Sequence, residues 1–216
     1  MAQRLEWIQK DPFTKFKLKF TKVEREFLDE LELERIINLE TKKATLAKTR
    51  DIFIFSCYTG LCYIDVKHLT KDQLVRGIDG NQWIHTAREK TATPVKIPIL
   101  PKAQEILFNY KVQEKTTGLL LPVYSNQKIN QYLKEIARIL NIKKKLTFHI
   151  ARHTFATTVT LSNGVPIETV SKLLGHTKLS TTQIYARVVE RKVSDDMEEL
   201  KNRLLNSTNS LSSKEN

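Results

Sequence analysis

The chain has 216 residues, 40% of them hydrophobic, with 36 Lys and Arg against 24 Asp and Glu and a formal charge of +12. That length and apolar share support one cored domain with appendages and exclude a wholly disordered chain; with 28% charged residues and no long apolar run, there is no room for a membrane span of ~20 residues. The basic excess points to a polyanionic partner, nucleic acid foremost, although charge alone does not choose between DNA, RNA and a solvated surface.

Residues 1–23 stand apart. Lys10, Lys15, Lys17, Lys19 and Lys22 alternate with Phe13, Phe16, Leu18 and Phe20 around Pro12, a pattern for an extended basic linker that follows a phosphate backbone or serves only as a solvated tether. No apolar stretch of the kind that directs secretion opens the chain, and Cys57 and Cys62 read as reduced thiols of a cytoplasmic protein. From Glu24 the pattern turns helical. Leu46, Phe53, Ile54, Cys57 and Leu61 predict a helix over 45–58 that Gly60 stops, with Arg50 on its apolar face and a second helix following through Asp65. The β-prone runs 82–86 and 95–99 predict a small antiparallel hairpin with Lys90 in its turn. Helical patterns return over 102–113 and 126–140, the latter with Ser125 as N-cap and Ile129, Leu133 and Ile136 in its stripe. Lys143, Lys144 and Lys145 form a phosphate contact or a solvated loop. A helix over 149–163 is closed by Gly164; the next opens at Pro166 and ends at Gly175. A last segment spans 180–188, a charged helix with an apolar stripe spans 195–205, and 206–216 are polar enough to be disordered. The fold class expected is mainly α with a small antiparallel β-sheet.

Four elements could carry chemistry: Lys90, the His149 to Arg152 pair, His176, and Tyr185 nine residues later. His149 and Arg152 are three apart, so both project from one helix face. Arginine offers a planar fork of donors suited to phosphate, and histidine exchanges protons near neutral pH. A tyrosine beside such a cluster can attack a phosphodiester. His149 and His153, four apart, could suggest zinc, but Ile150 stands where a metalloprotease needs Glu, and the Asp cluster of two-metal nucleases is missing, so no metal is expected.

These elements resemble the tyrosine recombinases, the phage-integrase family. The box from Leu146 to Ala156 is similar to the family's second motif with its His-x-x-Arg pair, Leu173-Leu174-Gly175-His176 followed by Tyr185 matches its histidine-to-nucleophile spacing, and Lys90, eight residues before Pro98, matches its hairpin lysine. The resemblance covers 31–191. It implies a metal-free, cofactor-free transesterification on double-stranded DNA in which Tyr185 attacks the scissile phosphate, forms a 3′-phosphotyrosyl link and frees a 5′-hydroxyl. Lys90 would protonate the leaving oxygen, Arg152 and His176 would stabilise the non-bridging oxygens, and His149 would assist proton movement at Tyr185. It further implies a catalytic domain over 24–192, a linker from a preceding core-binding domain over 1–23, and a C-terminal helix and tail over 193–216. The partners implied are DNA, further copies in a homotetramer and an accessory DNA-bending protein, with no membrane. The setting implied is a cytoplasmic integrase of a mobile element.

One motif departs from the family. Where Thr-Gly-Leu-Arg is expected, the chain reads Thr59-Gly60-Leu61-Cys62. A thiol cannot supply the arginine fork, and losing one such contact costs ~10²–10³ in rate. Arg50 is the expected substitute, with a structural salt bridge as its alternative role. Two competing readings remain: a non-catalytic regulator that uses 166–188 as a helix-turn-helix, and an enzyme that cleaves and reseals one strand without exchanging partners.

Overall fold

The computed structural model describes residues 25–185 without a break and scattered positions on either side. The expected basic linker, most of the C-terminal tail and its polar end lie outside the described residues.

Helix α1 (Glu30–Ile37) begins with a reciprocal cap: an Asp29 carboxylate oxygen accepts from the Glu32 N–H at 2.8 Å, and the Glu32 carboxylate accepts from the Asp29 N–H at 3.0 Å. Helix α2 (Ala44–Thr59) runs through the middle of the molecule. The consecutive Ile52, Phe53, Ile54 and Phe55 are all buried, so α2 is apolar all round rather than along one face, as its neighbours α1, α4, α6 and α7 require. Each such side chain contributes ~1.5–3 kcal/mol of burial. Gly60 ends α2 with φ at 66°, and a Cβ there would lie 2.5 Å from a Phe155 ring carbon, so both conformation and space demand glycine. Helix α3 (Tyr63–Lys67) follows, and Phe148 meets Phe53 and Tyr63 edge-on with ring centroids at 6.3 and 5.8 Å.

The hairpin forms as expected from β2 (Gln82–Ala87) and β3 (Pro94–Pro98), and β1 (Leu74–Arg76) adds an antiparallel edge in the order β1-β2-β3. Ile84 lies opposite Leu74 and Ile97, which seals the inner face against the core. The helix expected over 102–113 is two: α4 (Pro101–Asn109) and α5 (Lys111–Thr117). They part at Tyr110, whose hydroxyl donates to Asp51 at 2.9 Å. Helix α6 (Asn126–Ile139) is capped by Ser125 and buries its stripe. Lys144 spends its charge on Glu32 of α1 at 2.5 Å, which assigns the middle of the lysine run to the fold.

The helix expected over 149–163 changes pitch. Helix α7 (Phe148–Thr154) widens into a π-turn at Phe155–Thr160 and tightens into a 3₁₀ turn before Gly164. Threonine hydroxyls accompany the widening: Thr157 donates to the His153 carbonyl at 2.8 Å, and Thr160 to those of Phe155 and Ala156 at 2.8 and 2.9 Å. Helix α8 (Ile167–Leu174) then ends on Gly175. Beyond it the described chain makes two 3₁₀ turns, Leu179–Thr181 and Gln183–Tyr185, so no second helix of a helix-turn-helix forms through 185. A second, smaller core of Phe155, Leu161, Val170, Leu174 and Tyr185 joins the π-turn to α8. Among the described residues no helix is long and apolar enough to cross a membrane.

Candidate active site

Helix α8 ends with carbonyls that have no partner inside the helix and carry the negative end of its dipole. Two guanidinium groups take them. Arg152, on α7, donates to the Leu174 carbonyl at 2.6 Å and to the Gly60 carbonyl at 2.9 Å. Arg88, just past the end of β2, donates to the same Leu174 carbonyl at 3.1 Å and to that of Leu173 at 2.8 Å. Gly175 makes this crowding feasible, because a Cβ there would come within 2.8 Å of Val95 and 3.0 Å of Arg88, and its φ of 69° is itself left-handed.

Among the described residues a single carboxylate answers the two cations. Asp65 accepts from Arg88 at 2.8 Å, from the Glu89 N–H at 3.1 Å and from the Cys62 N–H at 3.3 Å, and the side chains of Arg88 and Asp65 are only 6% and 1% exposed. Burial alone would push the Asp65 carboxyl up, but the bonds from Arg88 and Glu89 and the Arg88 charge outweigh it and hold the group below its ordinary value. Among the described residues Arg152 forms no ion pair: burial, then the charge of Arg88, brings it down to about 10. Of the five N–H groups on each guanidinium, Arg88 engages three and Arg152 two among the described residues, which leaves donors for a further acceptor. The arrangement favours an anion, and a cavity of about 290 Å³ lined by Cys62, Tyr63, Asn130, Thr147, His149 and Arg152 opens beside it.

Around this centre stand three histidines and a tyrosine. The Tyr185 hydroxyl meets Nδ1 of His153 at 2.5 Å, and Tyr185 is 5% exposed. Burial pushes its phenol up to about 12, although the charges of Arg152 and Arg25 pull the other way. His153 packs edge to face against His149 with centroids at 4.5 Å. His176 meets the Thr182 hydroxyl through Nδ1 at 2.8 Å. Burial, and then neighbouring positive charge, lowers all three histidines, His153 and His176 to about 4. The start of α7 is pinned by Asn130, whose side-chain oxygen accepts from the Phe148 N–H at 2.8 Å. Among the described residues no group of three or more His, Cys, Asp or Glu side chains converges as a metal site would.

Arg152, His149, His176 and Tyr185 are thus brought together, whereas Lys90 stands at the exposed tip of the hairpin two residues beyond Arg88. The expectation for Arg50 fails. Its guanidinium is held by Asp51 at 2.7 Å and by the Leu39 carbonyl, on the side of α2 that faces α1. The salt bridge alternative is the correct one, with Asp51 rather than Asp65 as partner. The arginine beside the position of Cys62 is Arg88, which the sequence reading passed over. His153, weighed from the sequence only as a metal ligand, occupies the contact with Tyr185 expected of His149.

The family model described as phage integrase family matches residues 26–192. The chain is 44% identical over 71 residues to "Tyrosine recombinase XerD" of Halalkalibacterium halodurans, an alignment covering 33% of this chain and 23% of that one. It is 35% identical over 113 residues to "Tyrosine recombinase XerD" of Listeria monocytogenes, covering 46% and 37%. It therefore spans well under half the length of these curated relatives. Among solved structures, a lambda integrase dimer bound to a core site shares the fold with a TM-score of 0.68 at 17% identity, over 85% of this chain and 67% of that one.

Proposed function

The chain belongs to the phage integrase family, the tyrosine recombinases, and from that premise we propose that it cleaves and rejoins double-stranded DNA at specific sites through a 3′-phosphotyrosyl intermediate. The observation that carries this reading is the pair of guanidiniums on the Leu174 carbonyl, answered by one carboxylate and adjoining a buried tyrosine. A phosphodiester supplies the missing negative charge. Arg152, Arg88 and His176 bind its non-bridging oxygens, where charge builds up during attack by Tyr185. His149 lines the same cavity and orients the phosphate. Lys90, on the exposed turn between β2 and β3, protonates the 5′ leaving oxygen. No metal or organic cofactor enters this scheme. Arg88 takes the part of the arginine missing at Cys62, since Asp65 bridges the two positions.

The same reading makes residues 24–192 the catalytic domain, 1–23 the linker from a core-binding domain and 193–216 a tail that docks on a neighbouring copy. The working form is a homotetramer on DNA in the cytoplasm, serving a mobile element with an accessory DNA-bending protein. The net charge of +12 supports the DNA partner. The test is a nicked DNA substrate whose cleaved fragment diffuses away. The chain, carrying its neighbouring domains where the gene encodes them, should form a denaturant-resistant protein–DNA adduct in the presence of chelator. Tyr185→Phe should form none; an undiminished adduct from that variant refutes the assignment.

A further inference from the structure

Tyr185 must lose a proton to attack phosphorus, and its phenol, pushed up by burial, does not ionise unaided near neutral pH. We propose that His153 takes that proton during cleavage and returns it on rejoining, so that the base serving the nucleophile is the histidine after Arg152 rather than His149. The inference rests on the reading of Tyr185 as nucleophile.

The geometry is direct. Nδ1 of His153 lies 2.5 Å from the Tyr185 hydroxyl, a direct contact with no room for an intervening water, and both residues are 5% exposed. The ring packs between two others: His149 abuts it edge-on with centroids at 4.5 Å, and the Tyr185 ring lies tilted against it at 5.6 Å. The charged and titratable groups facing it are His149 and Arg152 of α7, Arg25 ahead of α1, His176 after α8, and Tyr185 itself. Burial and those positive neighbours hold His153 down to about 4, so it is neutral at pH 7 with a lone pair available. A base must be empty before it can accept. A phosphodiester entering the cavity brings negative charge among the same cations, which raises the basicity of His153 at the moment of attack.

The step balances. The Tyr185 Oη–H bond breaks and its proton passes to Nδ1 of His153 as Oη bonds to phosphorus. The bond from phosphorus to the 5′ oxygen breaks, and that oxygen takes its proton from Lys90. In rejoining, the 5′-hydroxyl gives its proton to Lys90 as its oxygen bonds to phosphorus, the bond from phosphorus to Tyr185 Oη breaks, and His153 gives its proton back to that oxygen. The competing role for the same contact is to park Tyr185 in its pocket, and the two predict opposite effects.

Single-turnover adduct formation on the nicked substrate decides between them. His153→Ala and His153→Asn should both be slower by ~10²–10⁴-fold with unchanged DNA affinity. The wild-type rate should rise with pH and level off as His153 becomes neutral. The His153→Ala rate should instead keep climbing toward the tyrosine range, and added imidazole should restore part of the loss. A variant as fast as wild type or faster, or a slow one that retains the wild-type pH profile, overturns the proposal. A second measurement needs no variant and no activity. Histidine ¹⁵N shifts of the DNA-free protein should show His153 protonated at Nε2, with Nδ1 as acceptor from Tyr185. The Nδ1–H tautomer sinks this proposal alone, whereas a Tyr185-independent adduct sinks the nucleophile reading and this one with it.

Discussion

Arg88 is the residue whose replacement discriminates most sharply, because it has a structural and a chemical part that different substitutions separate. Arg88→Ala leaves the Asp65 carboxylate, 1% exposed, without its cation, takes the guanidinium donor from the Leu173 carbonyl, and leaves the Leu174 carbonyl to Arg152. Breaking a buried pair from one side costs ~3–5 kcal/mol, a large share of the ~5–15 kcal/mol that holds a typical domain together. A loss of activity in that variant therefore decides nothing. Arg88→Lys is the informative change. An ammonium can still pair with Asp65, but as a compact point charge it cannot span the carboxylate, two carbonyls and a phosphate at once. The expected cost in stability is ~1–3 kcal/mol, from the Leu173 carbonyl left unmet. The expected fall in adduct formation is ~10²–10³-fold, measured in single turnover well below the melting temperature. Arg50→Lys, which disturbs only the contacts to Asp51 and Leu39, should leave cleavage at the wild-type rate. Arg88→Lys that melts near wild type and cleaves at the wild-type rate refutes the assignment. Acid unfolding gives an independent check on the pair. Asp65 is held below its ordinary 3.8, so its contribution is complete above that pH and is lost as pH falls through the lower folded value. Below pH 3.8 the melting temperature of wild type should drop more steeply than that of Asp65→Asn.

Two further outcomes follow from single side chains. Lys90→Ala should slow cleavage strongly with an ordinary phosphodiester but little with a 5′-thiolate leaving group, which needs no proton; equal slowing on both substrates removes Lys90 from that role. Thr49, buried in α2, has a hydroxyl with no hydrogen-bond partner among the described residues, so Thr49→Val should stabilise the protein by ~1 kcal/mol or more and raise the melting temperature by ~2–4 °C, and a lower melting temperature contradicts the account of that site.

Local chemistry decides which of these features a sequence can carry. Gly60, Gly164 and Gly175 mark helix ends legibly because a left-handed residue is required there. The stripe of α6 and the hairpin are legible because their periods repeat over enough residues. β1 was missed because three residues, Leu74 to Arg76, hold too little alternation to register. The widened turn after α7 was missed because threonine hydroxyls bonding to backbone carbonyls leave the apolar spacing almost unchanged. Arg50 misled for a definable reason. A charge on an apolar face is stranded only when its own neighbours cannot discharge it, and Asp51, one residue on, does so. Arg88 sent no local signal, because its partners Asp65, Leu173 and Leu174 are 23, 85 and 86 residues away. The available cue was on the other side of the pair. Asp65 sits one turn after the apolar end of α2 in a segment that must pack, and a carboxylate buried there requires a cation from elsewhere in the chain. An arginine facing a phosphate can thus change its place in the sequence, provided that the carboxylate orienting it and the helix end receiving it stay where they are. Looking for the cation that a buried acid needs finds Arg88, where looking for an arginine at its usual motif position finds only Cys62.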